Sequence, residues 1–273
     1  MDRARYTVAD LLRVMQRLRD PESGCPWDLQ QDFRSIVPST LEECYELAHA
    51  IEQDDHAHIA EELGDVLFQV VFYAQLGSEQ GLFAFEDVVD TLAAKLIRRH
   101  PHVFADGELE GVVGEAVAIE EVGASWEAIK RQERAEKSQT GLLADVPVAL
   151  PALPRAQKLQ KRAAQVGFDW PGLEPVLHKI DEELAELQEA VAAADDARVM
   201  EELGDVLFSC VNLSRHLACD AEASLRAASG KFETRFRTME ALAGARGQTL
   251  GELGDDALDE LWREAKAQSA QDL

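Results

Sequence analysis

The chain has 273 residues, 46% of them hydrophobic and 29% charged, enough for two modest globular domains. A formal net charge of -25 argues against non-specific binding to nucleic acid and against attraction to an anionic membrane surface. The first ten residues hold four charges and no apolar core, no run approaches the roughly 18 apolar residues of a membrane span, and the four cysteines form no C-x-x-C pair; the expectation is a cytoplasmic protein with free thiols.

Taken in order, Val8 to Arg19 reads as a helix with Leu11, Leu12, Met15 and Leu18 on one face. Pro21, Gly24 and Pro26 interrupt it. A first acidic helix starts at Ser39 or Thr40, where Ser39-x-x-Glu42 and Thr40-x-x-Glu43 both fit a capping box. A second acidic helix covers about 54–77, with Ile59, Leu63, Val66, Leu67, Val70 and Val71 as its apolar stripe. Glu86 to Arg99 is a further helix, stopped by His100-Pro101. Residues 106–124 are Gly-rich and acidic and read as a loop, and 125–137 as a helix carrying Trp126 and Lys130. Gly141, Pro147, Pro151 and Pro154 mark the best domain boundary. We therefore expect an N-terminal domain over 1–138, a linker over 139–154 and a C-terminal domain over 155–273. The second domain reads as helices over 155–165, 173–193, 196–217, 221–243 and 255–270, broken by Gly167-Phe168-Asp169-Trp170-Pro171. No alternating strand pattern stands out, so the fold class is all-α.

A repeat fixes the organisation. Residues 61–68 read EELGDVLF and so do residues 201–208, an offset of 140. Glu42, Glu43, Glu46 and Leu47 return with the same offset as Glu182, Glu183, Glu186 and Leu187. Further on the offset is 136: Lys95 and Arg99 return as Lys231 and Arg235, and Trp126 and Lys130 as Trp262 and Lys266.

Glu183 and Glu186 are three residues apart, as are Glu202 and Asp205, so each pair shares a helix face. Antiparallel packing of the two helices would bring four carboxylates together, an unfavourable arrangement without a cation among them. Oxygen-only ligands suit a hard divalent ion, Mg²⁺, Mn²⁺ or Ca²⁺. Glu43, Glu46, Glu62 and Asp65 form a second, weaker candidate site. A lone E-E-x-x-E is usually a solvated face or a capping feature. Recurrence of the same acids at the same spacing, with Glu182 and Glu183 well inside a helix, argues against that reading. Gly64 and Gly204 recur beside the aspartates, and a mid-helix glycine costs about 1 kcal/mol relative to alanine, which suggests close helix approach there. Lys231 with Arg235, and Trp262 with Lys266, are ordinary surface charges and a core tryptophan when taken singly. Beside a metal box they make a set for a Mg-nucleotide, with cations on the phosphates and an aromatic on the base. A ferritin-like di-iron bundle needs two Glu-x-x-His motifs, and only Glu46 to His49 fits.

The copies differ. Lys179 and Arg198 lie one turn before Glu183 and Glu202, where the first copy has Ser39 and His58, and Asn212 aligns with Phe72. The second copy is therefore the better candidate for catalysis, and the alternative is a non-catalytic partner-binding protein with relic acidic boxes.

E-E-x-x-E followed by E-L-G-D resembles the MazG-type, all-α nucleoside triphosphate pyrophosphohydrolases. Residues 15–22, Gly24 to Asp28, Arg98 to Phe104 and Val166 to Trp170 strengthen the likeness over nearly the whole chain. The resemblance implies a tandem of two MazG-like helical bundles that hydrolyses ribo- and deoxynucleoside triphosphates to monophosphate and pyrophosphate with magnesium. It places the metal on Glu183, Glu186, Glu202 and Asp205. Nucleotide contacts fall on Lys179, Arg198, Lys231, Arg235, Trp262 and Lys266. It also implies a cytoplasmic homodimer whose C-terminal domain is the active one.

Overall fold

A computed structural model describes residues 5–111, 118, 121–122, 125–126, 129, 132–133 and 141–269, and the described residues are helices and turns without strands. The chain divides into two compact units, Met1–Glu133 and Arg134–Leu273. No described helix is long and apolar enough to cross a membrane.

In the first unit the helices are α1 (Val8–Leu18), α2 (Pro26–Leu29), α3 (Val37–Glu52), α4 (His56–Glu79) and α5 (Phe85–Arg99). Thr7 closes a capping box with Asp10 at the start of α1. α3 does not start at Ser39 or Thr40 as the sequence suggested. Pro38 sits in its first turn, where a missing N–H costs nothing, so the helix begins at Val37. Thr40 instead donates back to the Ile36 carbonyl at 3.0 Å and bonds the Tyr73 hydroxyl at 3.0 Å, tying α3 to α4. α3 and α4 form a hairpin, and α1 and α5 pack on α4.

The core of this unit is Met15, Ile36, Val71, Phe72 and Leu76. The stripe expected on α4 is thus rotated: Leu63, Leu67 and Val70 are exposed in the single chain, at 52%, 39% and 38%. Arg19 lies 5.3 Å from the Phe72 ring centre and pairs with Glu79 at 2.7 Å, closing the α1 end of the core.

The second unit holds α6 (Ala152–Ala164), α7 (Leu173–Ala192), α8 (Asp196–His216), α9 (Ala221–Ala245) and α10 (Asp255–Ser269). α7 and α8 repeat the α3–α4 hairpin, α6 packs on α8 and α9, and α9 pairs with α10. Met239, Ala243, Leu261 and Ala265 form the α9–α10 core. Within residues 141–151, Val146 is buried and Asp145 pairs with Arg162 of α6.

The two hairpins turn the same way. Asp54 and Ala194 stand at φ 54° and φ 53°, and the next residues, Asp55 and Asp195, cap α4 and α8 by accepting from the amides of His58 and Arg198, each at 3.1 Å. Gly64 and Gly204 do not mark close helix approach. A Cβ built on either meets nothing within 4 Å, so their recurrence has no packing cause in the single chain.

A carboxylate cluster in each hairpin

Acids at i and i+3 on α7 face an acid on α8 because the helices run antiparallel from a short turn. One carboxylate oxygen from each of Glu183, Glu186 and Glu202 lies within 4.8 Å of the others, and Glu43, Glu46 and Glu62 form the same triplet in the first unit. The expected boxes of four are therefore tight clusters of three. Asp205 and Asp65 sit one turn further on, with side chains one methylene shorter, and fall outside the triplets. Asp205 lies beside the triplet, facing a pocket that Lys179 and Glu183 also line. Asp65 is near enough that its charge helps raise the Glu43 pKa.

The triplets are partly buried, and Glu183 and Glu202 are 6% and 9% exposed. Burial, then the charges of Glu202 and Glu183, push the Glu186 carboxyl above its ordinary range. Burial followed by Asp65, Glu46 and Glu62 does the same to Glu43. In the second unit Lys179 Nζ reaches Glu182 at 2.7 Å and Glu183 at 2.8 Å, which hold its ammonium above the usual lysine range. Arg198 Nε donates to Glu202 at 3.2 Å, and that bond raises the guanidinium pKa. In the first unit His58 Nε2 lies 2.9 Å from Glu62 Oε1, while the buried Glu62 Oε2 has no partner among the described residues. Three converging carboxylates in each hairpin, with Glu43 and Glu186 raised in pKa and an orphaned oxygen on Glu62, fit a hard cation.

The remaining candidates lie on the other hairpin. Trp262 packs against Phe232, ring centres 5.4 Å apart, and against the α9–α10 core. Lys231 and Lys266 are exposed, and Arg235 is half-buried with its Nε unpartnered among the described residues. Among the described residues no hydrogen bond or ion pair joins these four to the carboxylate triplet. In the first unit Lys130 lies outside the described residues, and Arg98 and Arg99 both grip Glu133, at 2.6 Å and 2.5 Å. With the 136 offset, Thr234 and Ser269 replace Arg98 and Glu133, so Arg235 lacks the partner that Arg99 has.

Around the second triplet the structure adds Arg215, which the motifs did not single out. Arg215 holds Asp169 by both carboxylate oxygens and donates to Asn212 Oδ1 at 2.7 Å. The Arg215 bond lowers the Asp169 pKa. The interruption at 167–171 was the available signal, since two aromatics around an aspartate just before an acidic helix are more than a stop.

A tandem of helical hairpins, each converging three carboxylates able to hold a metal ion, defines the class of protein. The MazG nucleotide pyrophosphohydrolase domain matches residues 31–104 and 172–239, the two hairpins with α5 and much of α9. The chain is 50% identical over 260 residues to the nucleoside triphosphate pyrophosphohydrolase of Escherichia coli strain K12, covering 94% of this chain and 96% of that one. It is 46% identical over 266 residues to the nucleoside triphosphate pyrophosphohydrolase/pyrophosphatase MazG of Thermotoga maritima, covering 97% and 98%. A third relative, the uncharacterized protein YabN of Bacillus subtilis, is 41% identical over 254 residues, which cover 93% of this chain and 50% of that one. The chain belongs to the MazG nucleotide pyrophosphohydrolase family, with its domain present twice.

Proposed function

We propose that this protein hydrolyses nucleoside triphosphates to monophosphate and pyrophosphate as a housekeeping activity on the cytoplasmic nucleotide pool, and that the second unit does the work. The observation that carries the reading is the triplet Glu183, Glu186 and Glu202, with Lys179 and Arg198 fixed against it. Both full-length relatives at 46–50% identity carry the matching activity in their names. Mg²⁺ is the cation that the ligand chemistry favours, with Mn²⁺ as a substitute, and Asp205 serves as an outlying fourth carboxylate. When bound, such an ion polarises the α-phosphate and lowers the pKa of a water. The water oxygen attacks the α-phosphorus, the bond to the bridging oxygen breaks, and pyrophosphate leaves.

The chain's own groups bind and orient. Glu183 and Glu202 are buried and locked by cations one turn away, so their oxygens are held in place before substrate arrives. Lys179 and Arg198 offset the negative field that would otherwise repel a triphosphate. Lys231, Arg235 and Lys266 supply further positive charge, and Arg235 has a donor to spare. The reading needs these groups to meet the triphosphate from the α9–α10 hairpin. Exposed Leu203 and Leu207 on α8, like Leu63 and Leu67 on α4, support burial against a second copy and hence a homodimer.

A second reading, loss of catalysis in the first unit, is favoured by two observations. Phe72 is 0% exposed and fills the place of Asn212, and Arg99 is already occupied by Glu133.

Incubation with each nucleoside triphosphate and Mg²⁺ tests the activity. Pyrophosphate and monophosphate are expected, and inorganic phosphate with diphosphate would sink attack at the α-phosphorus. EDTA should abolish turnover and added Mg²⁺ restore it; full turnover in metal-free protein would dismiss the carboxylate triplet as the centre.

A further inference from the structure

The two triplets are built from the same acids, but different partners stand against them. In the second unit Lys179 Nζ bonds Glu183 at 2.8 Å and Arg198 Nε bonds Glu202 at 3.2 Å, so two positive charges lie against three carboxylates. In the first unit Ser39 and His58 stand in those places, and a serine hydroxyl carries no charge. Among the described residues no ion pair reaches Glu43 or Glu46, and the one contact on Glu62 comes from His58 Nε2 to Oε1.

Glu62 marks the place as more than a crowd of acids. It is 5% exposed, and its Oε2 is buried with no partner among the described residues. A buried carboxylate oxygen without a donor costs more than a neutral acceptor in the same place. One carboxylate oxygen from each of Glu43, Glu46 and Glu62 lies within 4.8 Å of the others. Oxygens held on one Mg²⁺, Mn²⁺ or Ca²⁺ ion at about 2.0–2.6 Å stand up to about 5 Å apart, so one ion reaches all three. Glu46 is exposed, which gives the ion an open side and room for water ligands. The first unit has no free guanidinium to bring a triphosphate with the ion, since Arg99, the counterpart of Arg235, is taken by Glu133 at 2.5 Å.

We propose that the first triplet is a divalent-cation site that fills without nucleotide and before the second, its ion clamping Glu43 and Glu46 of α3 to Glu62 of α4. The sequence ranks this site the weaker, because Ser39 and His58 do little for a triphosphate. For a bare cation the order reverses. Coulomb repulsion from one unit charge a few ångströms away weakens cation binding by about tenfold or more. The second triplet carries two such charges, on Lys179 and Arg198. It therefore takes its ion chiefly together with phosphate, which those two cations suit. The first unit keeps its acids for a structural ion, a role that is independent of turnover.

Mn²⁺ is titrated into the full chain without nucleotide, and free Mn²⁺ is read by electron paramagnetic resonance. Wild type should show two classes of site, separated by about tenfold or more in affinity. Glu62→Gln should remove the tight class, and Glu202→Gln only the weak one. His58→Arg sets a guanidinium against the first triplet and should weaken the tight class about tenfold, while Arg198→His should tighten the weak one. Melts in EDTA check folding. The His58 side chain is 48% exposed, so its variant decides the matter if Glu62→Gln does not fold. No binding, two equal classes, a tight class that survives Glu62→Gln or falls with Glu202→Gln, or unchanged affinity in folded His58→Arg overturns the inference. Binding in the expected order by a protein that releases no pyrophosphate would defeat the hydrolysis reading and leave the cation site standing.

Discussion

Glu202 and Glu62 occupy the same place in the two hairpins, and what differs is the cation one turn before each. Arg198 sets a permanent guanidinium cation against Glu202, whereas an imidazole, that of His58, stands against Glu62. Glu202→Gln keeps shape and removes one ligand charge, so it should cut the rate constant at saturating Mg²⁺ by on the order of 10²-fold, the scale of losing one preorganised electrostatic contact. Glu62→Gln should leave most of the rate. Equal damage from both would move catalysis out of the second unit. Gly204 makes a separate prediction. Open space around its Cβ means that Gly204→Ala should stabilise α8 by about 1 kcal/mol, read as a higher melting temperature. A lower one would reveal a neighbour in the assembled protein.

The hairpin is the element in which sequence and structure agree most closely. Repeated acids and the 140 offset made both hairpins legible, because spacing on a helix is a local property. The start of α3 was misread because two capping boxes competed with Pro38, and the proline decided. The core face of α4 was misread because apolar periodicity does not say which stripe faces this chain and which another. The pocket beside the second triplet was not legible at all. It needs Gln160 on α6 to meet the Phe208 carbonyl on α8, a contact that no motif spans. Ala194, at φ 53° between α7 and α8, yields the element's own test. Ala194→Gly relieves the left-handed strain at some cost in unfolded-chain entropy, and should stabilise by up to ~1 kcal/mol in a denaturant melt. Destabilisation would mean that the turn is not strained. At α5, Arg99 and Arg98 hold the Glu133 pKa down at about 2, against an ordinary 4.5. A carboxyl whose pKa falls on folding stabilises above its unfolded value, and that contribution drains away as pH drops from about 4.5 towards 2. The melting difference between wild type and Glu133→Gln should therefore be larger at pH 7 than at pH 3. A difference independent of pH would show that the ion pair contributes nothing.

At the scale of the whole molecule, the exposed leucines on α4 and α8 predict self-association. Light scattering should give twice the 30.1 kDa of one chain. A mass of one chain would refute the dimer, and with it the simplest route by which the α9–α10 cations could approach a carboxylate triplet.

The triplets carry a further consequence, in the language of binding linkage. Each is a cluster of like charges that only the folded chain assembles, so any ion that occupies it draws the folding equilibrium towards the native state. At a free concentration one hundred times the dissociation constant, the gain is about 2.7 kcal/mol per site. The two triplets belong to separate units. A titration of melting temperature against Mg²⁺ should therefore resolve two dependences, one for each unit, and Glu202→Gln should remove only one of them. Divalent-ion level would then act on the lifetime of the protein as well as on its chemistry, through each unit separately.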